Sequence, residues 1–481
     1  MKKCKMNIIK DKLLKEGYIV IIFAIIFKVV YSDTTFFWDS INCLSRIAHL
    51  IYDNDLSYFV YDKFYDNGDP HIIHFYLATI WTLFGKNLFV THMAFLPFTV
   101  GCFYQVLVLV KNTFKNYDEK GLFTPILISC LITIADTSFL TQTILLGTDV
   151  CIIFFSLLTI NQIIKDKKKI ISLCFICLLI TRRGMIISAT LMIFYFLNHI
   201  LKNKENNNIK NLLKHLLPTL PAILLVIVFI ILRLKNTGWL FTSEDNAWAG
   251  TGDIVNLHQF IKNVIVLIWK NIDFGRFILW FFLIYTTLRY GFRSLISDET
   301  KPLWLCYILL QISFSLVTLP ITNPFGTRYF ITQFVLLSVI VSKILYDNYN
   351  KKIYKITMTI IFVTLFSGSF WLYPEKIAMN WDCTLKHLSF YELRNECFEY
   401  MKEKNIKYSD ITSGFCIYGN QEYIDLIKEE RIIENKENEK KFYIYSNICN
   451  ESDEKIDYLN SQFKEVKQFS KNGIFIKILT K

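Results

Sequence analysis

The chain has 481 residues, 53% of them hydrophobic and 16% aromatic, and apolar runs near twenty residues recur along most of it. This is the pattern of a polytopic helical membrane protein, and it excludes an ordinary soluble domain. A formal charge of +12 would suit nucleic acid, but the lysines stand in short clusters between apolar runs, as cytoplasmic loops do; membrane lipids are therefore the expected partners, and nucleic acid is not.

Lys2, Lys3, Lys5 and Lys10 precede an apolar run from Tyr18 to Tyr31 with no small-residue cleavage site behind it. The run reads as an uncleaved first span with the N-terminus in the cytoplasm. An extramembrane stretch, Ser32 to His71, follows. It carries seven Asp and no Glu, with Trp38-Asp39 near its start and Asp66-Asn67-Gly68-Asp69-Pro70-His71 at its end. Asp39 has two readings, a site of chemistry or the N-cap of a helix over Ser40 to Leu50. After a moderately apolar segment, His71 to Gly85, further runs cover Asn87 to Val110, Phe123 to Ala135, Thr143 to Ile164, Ile170 to Thr181, Met185 to Leu201, Leu212 to Leu234, Phe274 to Tyr290, Leu303 to Leu319, Tyr329 to Leu345 and Ile356 to Leu372. A polar break at Asp136-Thr137-Ser138 separates two of them.

Parity decides the topology. The lysine-rich gaps at 111–120, 165–169, 202–214 and 343–355, and Arg289 and Arg293, should face the cytoplasm. This makes His71 to Gly85 a helix lying at the outer surface, and it makes Ile170 to Leu201 a hairpin turning near Arg182-Arg183-Gly184. Eleven spans result, with the N-terminus inside and the C-terminus outside.

Twelve residues from Ile170 to Thr181 rise only about 18 Å as a helix, against a hydrocarbon core of roughly 30 Å. The hairpin thus brings Arg182 and Arg183 either to the outer headgroups or below the outer surface, where a cation marks a functional site. Two outer features follow. Lys235 to Asn263 reads as a polar loop with Trp239, Trp248 and Gly250-Thr251-Gly252, where Trp248 is an interfacial anchor or a substrate contact. Pro320 to Tyr329 is a helix-breaking turn that delivers Arg328 and Tyr329 to the outer end of the next span.

From about Pro374 the composition shifts to Lys and Glu with turn signals, and a small extracytoplasmic α/β domain is expected over 374–481, after a membrane part over 1–373. Leu393 to Lys404 has helical spacing, while Phe442 to Ser446 and Ile474 to Leu479 read as strands. Cys383, Cys397, Cys416 and Cys449 lie in this region; an oxidising compartment would allow them to pair in three ways, or they are four buried thiols.

Four stretches carry a resemblance. Phe36-Phe37-Trp38-Asp39 after the first span, Asp66 to His71 with Phe84-Gly85 and His92, Asp136 to Gln142 with Asp149, and Asn323 to Tyr329 together resemble the integral-membrane glycosyltransferases that use lipid-phosphate sugars, the C-type fold shared by protein O-mannosyltransferases and the bacterial aminoarabinose transferase. The first outer loop departs from that pattern in lacking its Asp-Glu pair, which leaves Asp39 alone. The resemblance implies a bacterial-type plasma (inner) membrane enzyme that takes a polyprenyl-phosphate sugar as donor and an outer glycan, lipid or protein as acceptor. In that reading Asp39 and Asp136 are the catalytic carboxylates, and Asp66, Asp69, His71, Arg182, Arg183, Arg328, Tyr329 and Trp248 bind substrate.

The residues suit such a reaction. A phosphate departs readily, so the enzyme needs chiefly a base for the acceptor hydroxyl and cations for the departing charge. A carboxylate supplies the first and arginine, with its bidentate fork, the second. No metal-ligand geometry is fixed by the sequence, and a divalent metal ion is left open as a cofactor. A transporter or flippase of lipid-linked sugars and a membrane glycan polymerase are the competing classes; the first predicts internal repeats, and none is visible.

Overall fold

In the computed structural model, residues 17–57, 67–115, 124–202, 209–239, 250–322, 326–436 and 439–481 are described. Each segment expected to span the membrane contains a helix. They are α1 (Gly17–Val30), α4 (Leu88–Thr113), α5 (Pro125–Ala135), α7 (Thr148–Ile164), α8 (Lys168–Cys177), α9 (Arg182–Lys202), α10 (Ile209–Leu216) with α11 (Leu220–Thr237), α13 (Phe277–Tyr290), α14 (Lys301–Thr318), α15 (Ile331–Asn348) and α16 (Lys351–Ser367). Among the described residues, 6 helices are long and apolar enough to cross a membrane, or up to 7 if α5 and the next helix, α6 (Thr137–Ile144), count as one span bent by 71°.

Local chemistry sets several starts. Asn87 accepts a hydrogen bond from Val90 N at 2.9 Å to cap α4, and Asn350 caps α16 through Ile353 N at 3.0 Å. Thr124 caps α5, with Pro125 in the first turn where its missing N–H costs nothing. The stretch after α1 forms a short π-helix, Ile41–Ser45, running into α2 (Arg46–Asp53), and α3 (Ile72–Phe84) packs against α2. Asp39 is not a cap. Ser40 holds that position without a side-chain bond.

The bundle is built around α15, whose residues are almost all buried and which touches α4, α5, α7, α13, α14 and α16. The turn Thr327–Phe330 leads straight into α15, so Arg328 is delivered to the middle of one end of the bundle. The polar loop expected over Lys235 to Asn263 is corrected in its last part, which belongs to α12 (Leu257–Ile272). This helix turns Ile261, Ile265, Ile268 and Trp269 outward and buries Asn263, Leu267, Lys270 and Asn271. An apolar outer face with a polar inner one suits a helix lying in the membrane interface.

Beyond α16 a strap over 371–388 leads to α17 (Ser389–Glu403), β1 (Ile411–Ser413), β2 (Gly419–Asn420), α18 (Glu422–Asp425), β3 (Ile432–Ile433), β4 (Phe442–Ser446), α19 (Asp453–Gln462), β5 (Lys464–Lys471) and β6 (Ile474–Thr480). The main sheet runs β1-β4-β6-β5, with β1 and β4 parallel and the other pairs antiparallel. Period-two alternation gives it two faces. Ile444, Ile474, Ile476 and Ile478 pack with Phe390, Leu393, Cys397 and Met401 of α17; Tyr443, Tyr445 and Leu479 pack with Ile456 and Leu459 of α19. Of the four cysteines, Cys416 and Cys449 form a disulfide, while Cys383 and Cys397 are buried free thiols.

Candidate active site

Three carboxylates from distant parts of the chain meet the guanidinium of Arg328. Its Nη2 donates to Asp39, its Nη1 donates to Asp382, and its Nε lies 3.6 Å from Asp149 Oδ2. Asp149 also accepts from Arg183. The ring of Tyr329 lies between the two arginines, 4.4 Å from the Arg183 guanidinium carbon and 5.6 Å from that of Arg328. Asp149, Arg183, Arg328 and Tyr329 line a small pocket closed by Ile152, Ile153, Ile187, Phe314 and Thr332.

Asp39 is the carboxylate of this group that meets solvent. Its side chain is 39% exposed, against 12% for Asp149 and 5% for Asp382. Its backbone is held by a tight turn in which Ser40 Oγ donates to Phe37 O at 2.7 Å and accepts from Phe37 N at 3.0 Å. Trp38 takes a left-handed φ of 53°, a strained conformation for a bulky residue that tends to occur at functional sites. Phe36 and Phe37, just before it, are buried, and Phe37 stacks on Trp38. The π-helix begins just after Asp39, and π turns also concentrate at functional positions.

The second Asp motif braces this turn rather than joining it. Arg182 N donates to Asp69 Oδ1 at 2.8 Å, and Arg182 Nη2 donates to Asn67 O at 2.8 Å. Asp69 therefore caps α9 from outside, where a negative charge is favoured. The close approach requires Gly68, at φ 84°, since a Cβ there would stand 2.4 Å from the Arg182 guanidinium carbon. Asn67 Nδ2 in turn donates to Cys43 O at 3.0 Å, tying the motif to the π-helix. His71 is buried against His74, and burial, then the neighbouring His74 and Arg233, push its pKa down to about 3. Asp66 and Trp248 lie outside the described residues.

Asp136 is placed apart from the Arg328 group. It accepts from Arg276 Nε at 2.6 Å through Oδ2, and from Arg276 Nη2 at 3.2 Å through Oδ1. Oδ1 also accepts from Ser138 N and Phe139 N at 3.0 and 3.2 Å, capping α6. Arg276 is 0% exposed and Asp136 2%, so this carboxylate is sealed and its acceptor sites are filled. The guanidinium carbon of Arg276 sits 3.8 Å from the Phe334 ring centroid on α15. From α6, Gln142 Nε2 donates to Asp382 O at 2.8 Å and Ser138 Oγ to Cys383 O at 3.3 Å. The Asp136–Arg276 pair thus fixes the elements that present Asp382 to Arg328.

Asp382, Arg276 and Lys270 were not singled out by the sequence. Arg276 had a signal: a lone arginine at the start of an apolar run whose start the expected topology puts outside, where positive charge is uncommon. Lys270 donates to Asn380 Oδ1 at 3.1 Å, and burial pulls its pKa down against the opposing pull of Cys383, Asp382 and Asp273. Among the described residues no group of three or more His, Cys, Asp or Glu is arranged to hold a metal; the three aspartates converge on a guanidinium instead.

Fold and site together define a polytopic helical membrane protein with a charged pocket at one end of the bundle, roofed by a small α/β domain. No family model matches the sequence, and no curated protein matches it. Among solved structures, the chain is similar to the crystal structure of ArnT from Cupriavidus metallidurans bound to undecaprenyl phosphate, with a TM-score of 0.51 at 10% identity over 96% of this chain and 97% of that one. The likeness shows that the two chains share a fold over nearly their whole lengths, as the resemblance implies.

Proposed function

We propose that this chain is an integral-membrane glycosyltransferase that moves a hexose or pentose from a polyprenyl-phosphate carrier to a glycan, lipid or protein acceptor on the extracytoplasmic side of the plasma membrane. The observation that carries the reading is the direct contact of Asp39 with Arg328 at the solvent-facing edge of the pocket. The fold likeness to a protein bound to undecaprenyl phosphate supports the carrier class. The proposal takes eleven spans over residues 1–373, an inside N-terminus, and an outside domain over 374–481. The outward apolar face of α12 and the disulfide in the α/β domain favour that sidedness.

In the proposed reaction the acceptor oxygen attacks the anomeric carbon and the bond to the carrier phosphate oxygen breaks. The acceptor proton passes to the Asp39 carboxylate, and the carrier leaves as a phosphate anion. Arg328 and Arg183 stabilise that charge, which is worth most where water is excluded. The resting ion pair gives this an order of events. A carrier phosphate competes with Asp39 for Arg328, and its arrival releases the carboxylate to act as a base. Asp149 and Asp382 keep Arg328 aimed during the exchange. Asp69 with Arg182, and Asp136 with Arg276, are positioning pairs that set the turn and the strap.

The reading is tested with purified protein in liposomes supplied with the lipid-linked sugars of its host. Release of free polyprenyl phosphate that depends on Arg328 supports it. Movement of intact lipid-linked sugar across the bilayer without release would replace it with a flippase.

A further inference from the structure

We infer that the Cys416–Cys449 disulfide is a positioning element for the pocket: it ties the turn that carries Asp39 to the strap that carries Asp382, so that both carboxylates are held at Arg328 only while the bond is formed. The coupling rests on geometry alone; its catalytic consequence rests on the glycosyltransferase reading.

The sheet topology puts the bond where it can do this. β1 and β4 are parallel neighbours, so the loops that follow them leave the sheet at the same edge. Cys416 lies in the first loop and Cys449 at the end of the second strand's following turn, 33 positions apart. Beside Cys416, Phe415 sets its ring against that of Trp38 at 5.4 Å, next to Asp39. Further along the same segment, Ile424 O accepts from Phe36 N at 3.0 Å. Beside Cys449, Asn450 Oδ1 accepts from Met379 N and from Trp381 Nε1, both at 3.2 Å, and its Nδ2 donates to Met379 O at 2.9 Å. Trp381 immediately precedes Asp382. Each cysteine is thus one residue from a side chain that holds one arm of the pocket, and Phe37, Met379, Trp381, Cys383, Cys416 and Cys449 are buried in one shared cluster. The left-handed φ of 53° at Trp38 has to be imposed by its surroundings, and Phe415 is part of them. Ring contacts and single hydrogen bonds yield to small shifts, whereas a covalent bond between their bases keeps the two arms from moving apart. Misplacing a reacting group by about 1 Å can cost about 10²-fold in rate.

The test compares full-length wild type with Cys416→Ser/Cys449→Ser in liposomes, by hydrogen exchange and by transfer. Exchange of the Phe36 and Met379 amides, which the two segments hold from outside, should quicken about ten-fold or more while α15 is unchanged, since local openings have their own free energies. The kcat for release of polyprenyl phosphate should fall about ten-fold or more. If the double variant does not fold, folded wild type treated with a dithiol is scored the same way; the S–S bond breaks to two Cys thiols as the dithiol closes its own disulfide. Unchanged exchange at either amide overturns the inference. So does an unchanged kcat with both arms loosened, the result for a crosslink that only stabilises the domain. Absence of transfer by wild type counts instead against the glycosyltransferase reading, and the exchange data still decide the coupling.

Discussion

Asp39 and Arg328 stand 289 positions apart in the chain and share an ion pair, and the same guanidinium also meets Asp382 and Asp149. One cation shared by three carboxylates is poised for exchange: the anionic phosphodiester of a donor can displace the most exposed of them, and that is Asp39.

Arg328 should tolerate no substitute. A lysine keeps the charge but cannot serve Asp39 and Asp382 from one planar fork. Arg328→Lys is expected to lower affinity for undecaprenyl phosphate at least ten-fold, and Arg328→Ala further, since losing a charge-assisted contact costs about 1.5–3 kcal/mol. Binding titrations in detergent decide this; wild-type affinity in Arg328→Ala would remove the arginine from the carrier site.

Asp136 should matter for stability first. Asp136→Ala strands the buried guanidinium of Arg276, and breaking such a pair typically costs about 3–5 kcal/mol. Asp136→Asn keeps an oxygen for Ser138 N and Phe139 N and should lose less. If Asp136 is a positioning residue, folded Asp136→Asn transfers sugar with an unchanged pH profile. A shifted profile would mean that Asp136 titrates in the reaction.

The C-terminal domain should weaken in acid. Burial pushes the pKa of His387 down to about 4, and its Nδ1–H donates to Thr384 O at 2.6 Å, so the fold holds the neutral ring. A depressed value means that the stability is fully present above the unfolded pKa of about 6.5 and is lost as pH falls through about 4, a contribution of up to about 3 kcal/mol. His49, held at about 4 mainly by burial, acts in the same direction. His387→Gln should flatten part of the slope of unfolding midpoint against pH between 7 and 4.5. An unaltered slope would place the titration elsewhere.

Some of this was legible in the residues and some was not. The strand at Phe442–Ser446 appears where expected because its alternating Tyr and Ile serve two different helices, and α17 nearly coincides with the apolar spacing of Leu393 to Lys404. By contrast α12 was read as loop at its start, up to Asn263; its polar residues Asn263, Lys270 and Asn271 form its inner face. Edge strand β5 is exposed almost throughout, so no alternation betrays it. Arg182 and Arg183 were grouped as neighbours, yet successive helical residues point about 100° apart, and they serve Asp69 and Asp149 respectively. Asp382 has no local signal at all, since its role arises only where the strap meets Arg328.

Topology is open to a direct check. A reporter active only in the cytoplasm should be silent when fused at Lys481 and active when fused within 343–355. Strong activity at Lys481 would remove one span and place the Asp39 pocket on the other face.

The central claim is that Asp39 is the base released by carrier phosphate, and Asp39→Asn tests it most directly. The variant cannot accept a proton, and it no longer competes as a carboxylate for Arg328. Transfer, measured as polyprenyl phosphate released from lipid-linked sugar, should fall about 10²–10⁴-fold, while undecaprenyl phosphate binds at least as tightly as to wild type. Near-wild-type transfer by folded, monodisperse Asp39→Asn would contradict the account.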